Sequence, residues 1–222
     1  MIYNFIMKTM KNTVLLILLI TGLSSLKAQT LEEKLTATFL EFDTTQVFSK
    51  KMAASSKLEL MANMESENFA VNYYAAYSKA MISYREKEID KDTRDMYLDV
   101  ADDFLLKVKQ LQPKNEETYI LAALIANARL VVDGGSRWKK QGDIFNANID
   151  SAKAINPLNP RIYHLKGVAV FFTPKMFGGG AKNALEYLEK AKELFVNQLN
   201  GSILVPYWGE KRNLYFLSQC KK

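Results

Sequence analysis

The chain has 222 residues, 48% of them hydrophobic and 24% charged, ordinary fractions for a folded protein of one domain. Its net charge of +6 is partly an artefact of the first 28 residues, which hold Lys8, Lys11 and Lys27 and no acid; from Gln29 onward 27 basic residues face 24 acidic ones, a balance of +3 that gives no warrant for a nucleic-acid partner. A lone Cys220 excludes an intramolecular disulfide, and a lone His164 excludes a histidine metal cluster.

Residues 1–28 read as a signal peptide. Lys8 and Lys11 precede the apolar run Val14–Ile20, small residues follow, and Leu26-Lys27-Ala28 offers a cleavage site before Gln29. The run is shorter than the roughly 20 apolar residues a bilayer span needs. Translation could equally start at Met7 or Met10, and no cysteine near residue 28 indicates a lipid anchor. The expected location is therefore the periplasm or the medium, with no membrane span after cleavage.

From Leu31 the apolar spacing is helical throughout, and no segment alternates with the period of a strand. Leu31, Leu35, Phe39 and Phe42 form a first apolar stripe, and Asp43-Thr44-Thr45 offers capping oxygens for a second helix over about 45–64. A third, aromatic helix over about 69–87 carries Tyr73, Tyr74, Tyr77 and Tyr84. The charged stretch 86–95 reads as a solvated loop; as a calcium loop it fails, because Arg94 and Ala101 stand where oxygen ligands are required. A fourth helix, about 94–112, stops before Pro113. Asn115 caps a fifth, about 116–132, which Gly134-Gly135 would end in left-handed geometry. The sixth (about 138–155) stops at Pro157, and the seventh (about 160–172) has Pro160 in its first turn. The run Thr173–Gly180 turns the chain into an eighth helix, about 182–199. Pro206 opens a last one, about 206–219, with Tyr207, Leu214 and Leu217 expected inward and Glu210, Lys211 and Asn213 outward.

The chain also repeats itself. Pro113-Lys-Asn115 returns as Pro157-Leu-Asn159, Asp133-Gly-Gly135 as Phe177-Gly-Gly179, and Tyr119 as Tyr163 and then Tyr207, each 44 residues on. A fixed period in this range marks stacked helical repeats. The clearest units are 113–156 and 157–200, with a degenerate copy around Ser66-Glu-Asn68 before them and the last helix as a cap.

The second clear unit resembles the tetratricopeptide repeat: Tyr163 and Gly167 match its aromatic–glycine pair, and Ala184, Leu188 and Ala191 its later small and apolar positions. The first fits less well, with Lys140 where Ala184 stands. The period is longer than the family's 34 residues, and HEAT-type repeats at about 40–47 residues compete. The Thr173–Gly180 turn with Pro206-Tyr-Trp-Gly209 is similar to exported repeat proteins of Bacteroidetes-type bacteria. The resemblance implies an all-α fold, a right-handed α-α superhelix or TPR-like helical-repeat solenoid of about nine helices over residues 29–222. It further implies close packing of Gly167 against Ala191's helix, so Gly167→Leu should cost more than a change at the turn residue Gly179.

No constellation of catalytic residues is present. Gly178-Gly179-Gly180 precedes a helix but lacks the Gly-Lys-Ser/Thr of a phosphate loop, and no Gly-x-Ser-x-Gly elbow accompanies His164, which reads mainly as a surface residue. Trp138 and Trp208 read as packing residues. Catalytic, cofactor and metal sites are thus all expected to be absent. Function is expected from the concave surface that stacked helices form. By the resemblance, Ile120, Leu124, Asn127, Arg161, His164, Val168 and Phe171 line its groove, for a protein or peptide partner in the cell envelope. The alternative is a small-molecule carrier with a closed pocket at Tyr73, Tyr77, Phe171 and Phe172.

Overall fold

The computed structural model describes residues 29–86, 88–198 and 201–221, so the signal-peptide reading lies outside the described residues. Among those, nine α-helices and a short 3-10 turn, Lys175–Phe177, make up the regular structure, with no strand. The helices are α1 Leu31–Thr44, α2 Phe48–Met64, α3 Phe69–Arg85, α4 Lys91–Leu111, α5 Glu116–Val132, α6 Gly134–Ile155, α7 Pro160–Phe172, α8 Ala181–Val196 and α9 Glu210–Cys220. Each helix through α8 packs on its predecessor or successor as a hairpin, α1/α2, α3/α4, α5/α6 and α7/α8. The first helices of the last three pairs also touch one another in sequence, as stacked repeats do.

Asparagine sets the start of each inner helix. Asn68 accepts the amides of Ala70 and Val71, Asn115 that of Glu117, and Asn159 that of Arg161, satisfying N–H groups with no helical partner. Beyond these caps α3 and α5 are apolar nearly all round. Every residue from Ala70 to Ser83, and every one from Glu117 to Ala128 except the half-buried Tyr119, is buried, as in a helix enclosed on nearly all sides. The outer helices are amphipathic: α4 buries Leu98, Ala101, Phe104, Leu105 and Val108, and α8 buries Ala184, Leu188, Ala191 and Phe195. Gly167 lets α7 and α8 approach; a Cβ there would lie 2.7 Å from Leu188 Cδ2.

Several local expectations are corrected. Gly134 and Gly135 are not left-handed terminators: neither has positive φ, and α6 starts at Gly134 itself, giving 22 residues instead of the expected 18 or so. Trp138, in the first turn of α6, is 65% exposed and packs into no core. The Thr45 hydroxyl accepts from Val47 N–H in the turn, so α2 starts at Phe48 with no side-chain cap. The charged stretch is part helix, since α4 starts at Lys91, and two of its acids are structural: Asp90 caps α4 through the Thr93 amide, and Asp95 within α4 accepts both Arg137 guanidinium N–H groups from α6.

The largest correction lies at the C-terminus. The last helix begins at Glu210, and residues 203–209 run as a strap of non-helical chain. Ile203 and Trp208 of this strap join the central core. Tyr207 and Leu214, expected inward, are exposed, whereas Asn213, expected outward, is fully buried. With Trp208 anchored in the central core just before it, the helix turns Phe216 and Leu217 onto Val168, Ala184 and Leu188.

Candidate functional site

The inner face carries a buried polar chain. Glu117 and Arg161 each stand two residues past an Asn cap, in successive repeats, and form a buried ion pair. Arg161 Nε donates to Glu117 Oε1 at 2.8 Å, Asn159 donates to the same carboxylate, and the Tyr73 hydroxyl donates to its Oε2 at 2.9 Å. Trp208 Nε1 then donates to Tyr73 Oη at 2.9 Å, and Arg161 lies 5.9 Å from the Trp208 ring centre. A buried ion pair is tolerable because both carboxylate oxygens have further donors, Asn159 on Oε1 and Tyr73 on Oε2. Burial, with the Glu117 charge beside it, pushes the Tyr73 hydroxyl well above its ordinary range, so it stays protonated.

These bonds tie the strap down. The Tyr207 amide donates to Tyr74 Oη at 2.8 Å, and the Trp208 ring packs 4.9 Å from Tyr77. Gly209 turns the chain with φ of 105°, beside Phe195 and His164. His164 is 1% exposed, which corrects the surface reading. Its Nδ1 lies 3.2 Å from Asn213 Oδ1, while Asn213 Nδ2 donates to the Leu188 carbonyl. Burial, with Arg212 and Arg161 adding their repulsion, lowers its pKa from 6.5 to about 3. It is a neutral donor holding α9 in place.

The residues expected to line an open groove are thus brought together but covered. Ile120, Leu124, Asn127, Arg161, His164 and Val168 are all buried and Phe171 is half-buried. Their cover is the chain's own C-terminal segment: Trp208 and Gly209 of the strap, which carried no signal in helical periodicity, and Asn213, Phe216 and Leu217 of α9. Beneath Arg212 a cavity of about 30 Å³ remains between Tyr77, Met81, Tyr84, Leu124, Asn127, His164, Val168 and Trp208, room for about one water molecule.

Around Arg212 lies a partly exposed set of aromatic rings. The Arg212 guanidinium sits 4.8 Å from the Tyr84 ring centre and 5.4 Å from that of Phe216. Phe216 meets Phe171 at 5.3 Å and Phe172 at 5.5 Å, and the Tyr84 hydroxyl accepts from Asn127 at 3.4 Å. Phe172, 63% exposed, faces solvent, so the closed pocket at Tyr73, Tyr77, Phe171 and Phe172 does not form: Tyr73 is held by Glu117 and the two phenylalanines pack on α9. Among the described residues no carboxylate lies within ion-pair distance of Arg212 or of its neighbour Arg85, and burial lowers the Arg212 pKa, with Arg85 adding to the effect. The side-chain hydrogen-bond partner of Arg212 is the Tyr84 hydroxyl, so the guanidinium lies beside aromatic rings with no paired carboxylate.

A second, larger cleft of about 600 Å³ lies at the opposite ends of the inner helices. It is lined by Phe69, Glu116, Asn156, Leu158, Gln198 and Leu204 among others. Among the described residues no group of three or more His, Cys, Asp or Glu could hold a metal, and no helix is long and apolar enough to cross a membrane.

The fold thus defines an all-α helical-repeat protein whose inner helices are covered by the chain's own C-terminal segment. No protein-family model matches the chain, and no curated relative does. Among solved structures it is similar to the HusA haemophore from Porphyromonas gingivalis, with a TM-score of 0.71 and 26% identity over 86% of this chain and 90% of that one. A haemophore is a binding protein rather than an enzyme.

Proposed function

We propose that this protein is an exported, non-catalytic carrier of a flat, apolar ligand bearing carboxylates, of the haem class. The ligand's seat is the rim formed by Tyr84, Phe171, Phe172 and Phe216, with Arg85 and Arg212 facing its carboxylates. The observation that carries the reading is Arg212, a largely buried guanidinium stacked between two rings with no carboxylate paired to it. Likeness to a haemophore over nearly the whole of both chains supports it. Export with cleavage before Gln29 belongs to the same reading. His164 does not serve as an iron ligand here, since its Nδ1 is engaged by Asn213 and its ring lies beneath the strap. Affinity then rests on the apolar face and the carboxylates.

Titration of the purified protein with haemin, followed in the Soret band, should saturate. Metal-free protoporphyrin should bind within about tenfold of haemin, because no buried metal ligand is in play. Losing a charge-assisted bond worth roughly 1.5–3 kcal/mol, Arg212→Gln should weaken both ligands by about ten- to a hundredfold. Absence of saturable binding, or an unchanged affinity in Arg212→Gln, overturns the proposal.

A peptide partner is the second reading, favoured by the larger cleft. Its amide side chains of Asn156 and Gln198 beside apolar Phe69, Leu158 and Leu204 suit an extended backbone.

A further inference from the structure

The turn between α7 and α8 presents its largest apolar side chains to water. Met176 is 82% exposed and Phe177 72%, and neither belongs to a buried cluster; Phe172 beside them is also exposed. The turn cannot fold these side chains away, because its backbone is latched. Gly179 N–H donates to the Pro174 carbonyl, Gly180 N–H to that of Val170, and Asn183 Nδ2 to those of Gly178 and Gly179. Gly178 and Gly180 hold φ of 79° and 96°, and a Cβ on Gly179 would lie 2.0 Å from the Thr173 carbonyl oxygen. The three glycines are therefore required by the shape that projects Met176 and Phe177.

The charge around this tip is one-sided. From Ser151 to Leu185 the chain has Lys153, Arg161, Lys166, Lys175 and Lys182 and no acid. Arg161 is buried against Glu117, and Lys166 donates to Asn146. Lys175 and Lys182 flank the tip, both exposed. Of the carboxylates on α8, Glu189 pairs with Lys221 and Glu193 with Lys190. Glu186 lies five residues into the helix, about 7.5 Å along its axis from the turn.

We propose that the turn Thr173–Gly180 docks the protein on an anionic phospholipid surface, Met176 and Phe177 entering the headgroup layer while Lys175 and Lys182 meet lipid phosphates. Apolar side chains inserted at the interface with basic ones around them are the pattern of peripheral membrane contact. A protein partner would require roughly 800 Å² of matching surface, which a two-residue protrusion does not offer. The tip follows directly on Phe172 of the rim, so docking would bring the rim close to the bilayer.

Ligand-free protein should co-sediment with phosphatidylcholine vesicles containing phosphatidylglycerol and not with phosphatidylcholine alone, and added salt should weaken the interaction. K175E/K182E should lower the partition coefficient by at least about twentyfold, roughly fivefold for each lysine lost. M176S/F177S should lower it at least about tenfold, since each side chain forfeits its burial. Both pairs touch no core residue, so the variants should keep the parent's melting temperature. No binding to the anionic vesicles, or equal binding by M176S/F177S, overturns the proposal, and neither result bears on haemin binding.

Discussion

Two side chains, His164 and Asn213, decide how the last helix is held. His164 sits in the core as a neutral ring, with its folded pKa near 3 against 6.5 in the open chain. Below pH 6.5 the unfolded chain takes up a proton that the folded one refuses, so the stability this group contributes is fully present above pH 6.5. It is lost progressively as pH falls toward 3. A series of thermal melts across that window should show stability declining with acid. His164→Gln, which keeps a hydrogen-bonding amide near Asn213 and cannot titrate, should flatten the decline between pH 6.5 and 4, above the range in which Asp90, Asp95 and Asp133 protonate; their carboxyls are held below the usual value by Thr93, Arg137 and Lys91 respectively. A wild-type curve level down to pH 4 would show that His164 is not held neutral.

At the scale of elements, glycines at the α7/α8 hairpin do two different jobs. Gly167 allows close helix contact; a Cβ there meets the flexible end of Leu188 at 2.7 Å, and Leu would overpack the interface by about 1–3 kcal/mol. Gly179 faces backbone: its added Cβ would meet Thr173 O at 2.0 Å and Thr173 C at 2.4 Å. The sequence expectation set Gly179→Ala against Gly167→Leu; for alanine at both positions Gly179 is the less tolerant site, because its Cβ meets a carbonyl in a latched turn whereas at Gly167 it meets side-chain atoms. Gly179→Ala should lower the melting temperature more than Gly167→Ala does; the opposite ranking would mean that the turn yields easily.

For the molecule as a whole, the strap and α9 close the array. Removing residues 203–222 uncovers Tyr73, Tyr74 and Tyr77, strips Glu117's network of Trp208, and exposes Val168 and Leu188. Losing a buried Trp alone costs about 3–5 kcal/mol, a large share of the 5–15 kcal/mol that holds a domain together. The truncated protein should aggregate or melt far below the parent in size-exclusion and calorimetric measurements. A monomeric truncation with unchanged melting would make the segment a dispensable tail.

Helix content, the turns at Pro113 and Pro157, the Asn115 cap and the repeat of 44 residues were legible in the sequence, since each depends on neighbours within a turn or two. The close contact at Gly167 followed from the resemblance for the same reason: a small residue at fixed helical spacing faces its hairpin partner. Other features were decided only in three dimensions. Glu117 and Arg161 are 44 residues apart and look like surface charges on separate helices until stacking puts them within bonding distance. Trp138 and Trp208 look alike in sequence, yet one is in water and the other in the core. Gly134-Gly135 and Gly178-Gly179 share a period and differ in conformation, because the first pair could continue as helix while the second had Pro174 and the Thr173 carbonyl to clear. Above all, the non-helical strap, together with α9, covers the inner helices. No local pattern encodes that, because what holds the strap is a set of distant hydroxyl acceptors, rings and a guanidinium, on Tyr73, Tyr74, Tyr77 and Arg161, which meet it only after the array has folded.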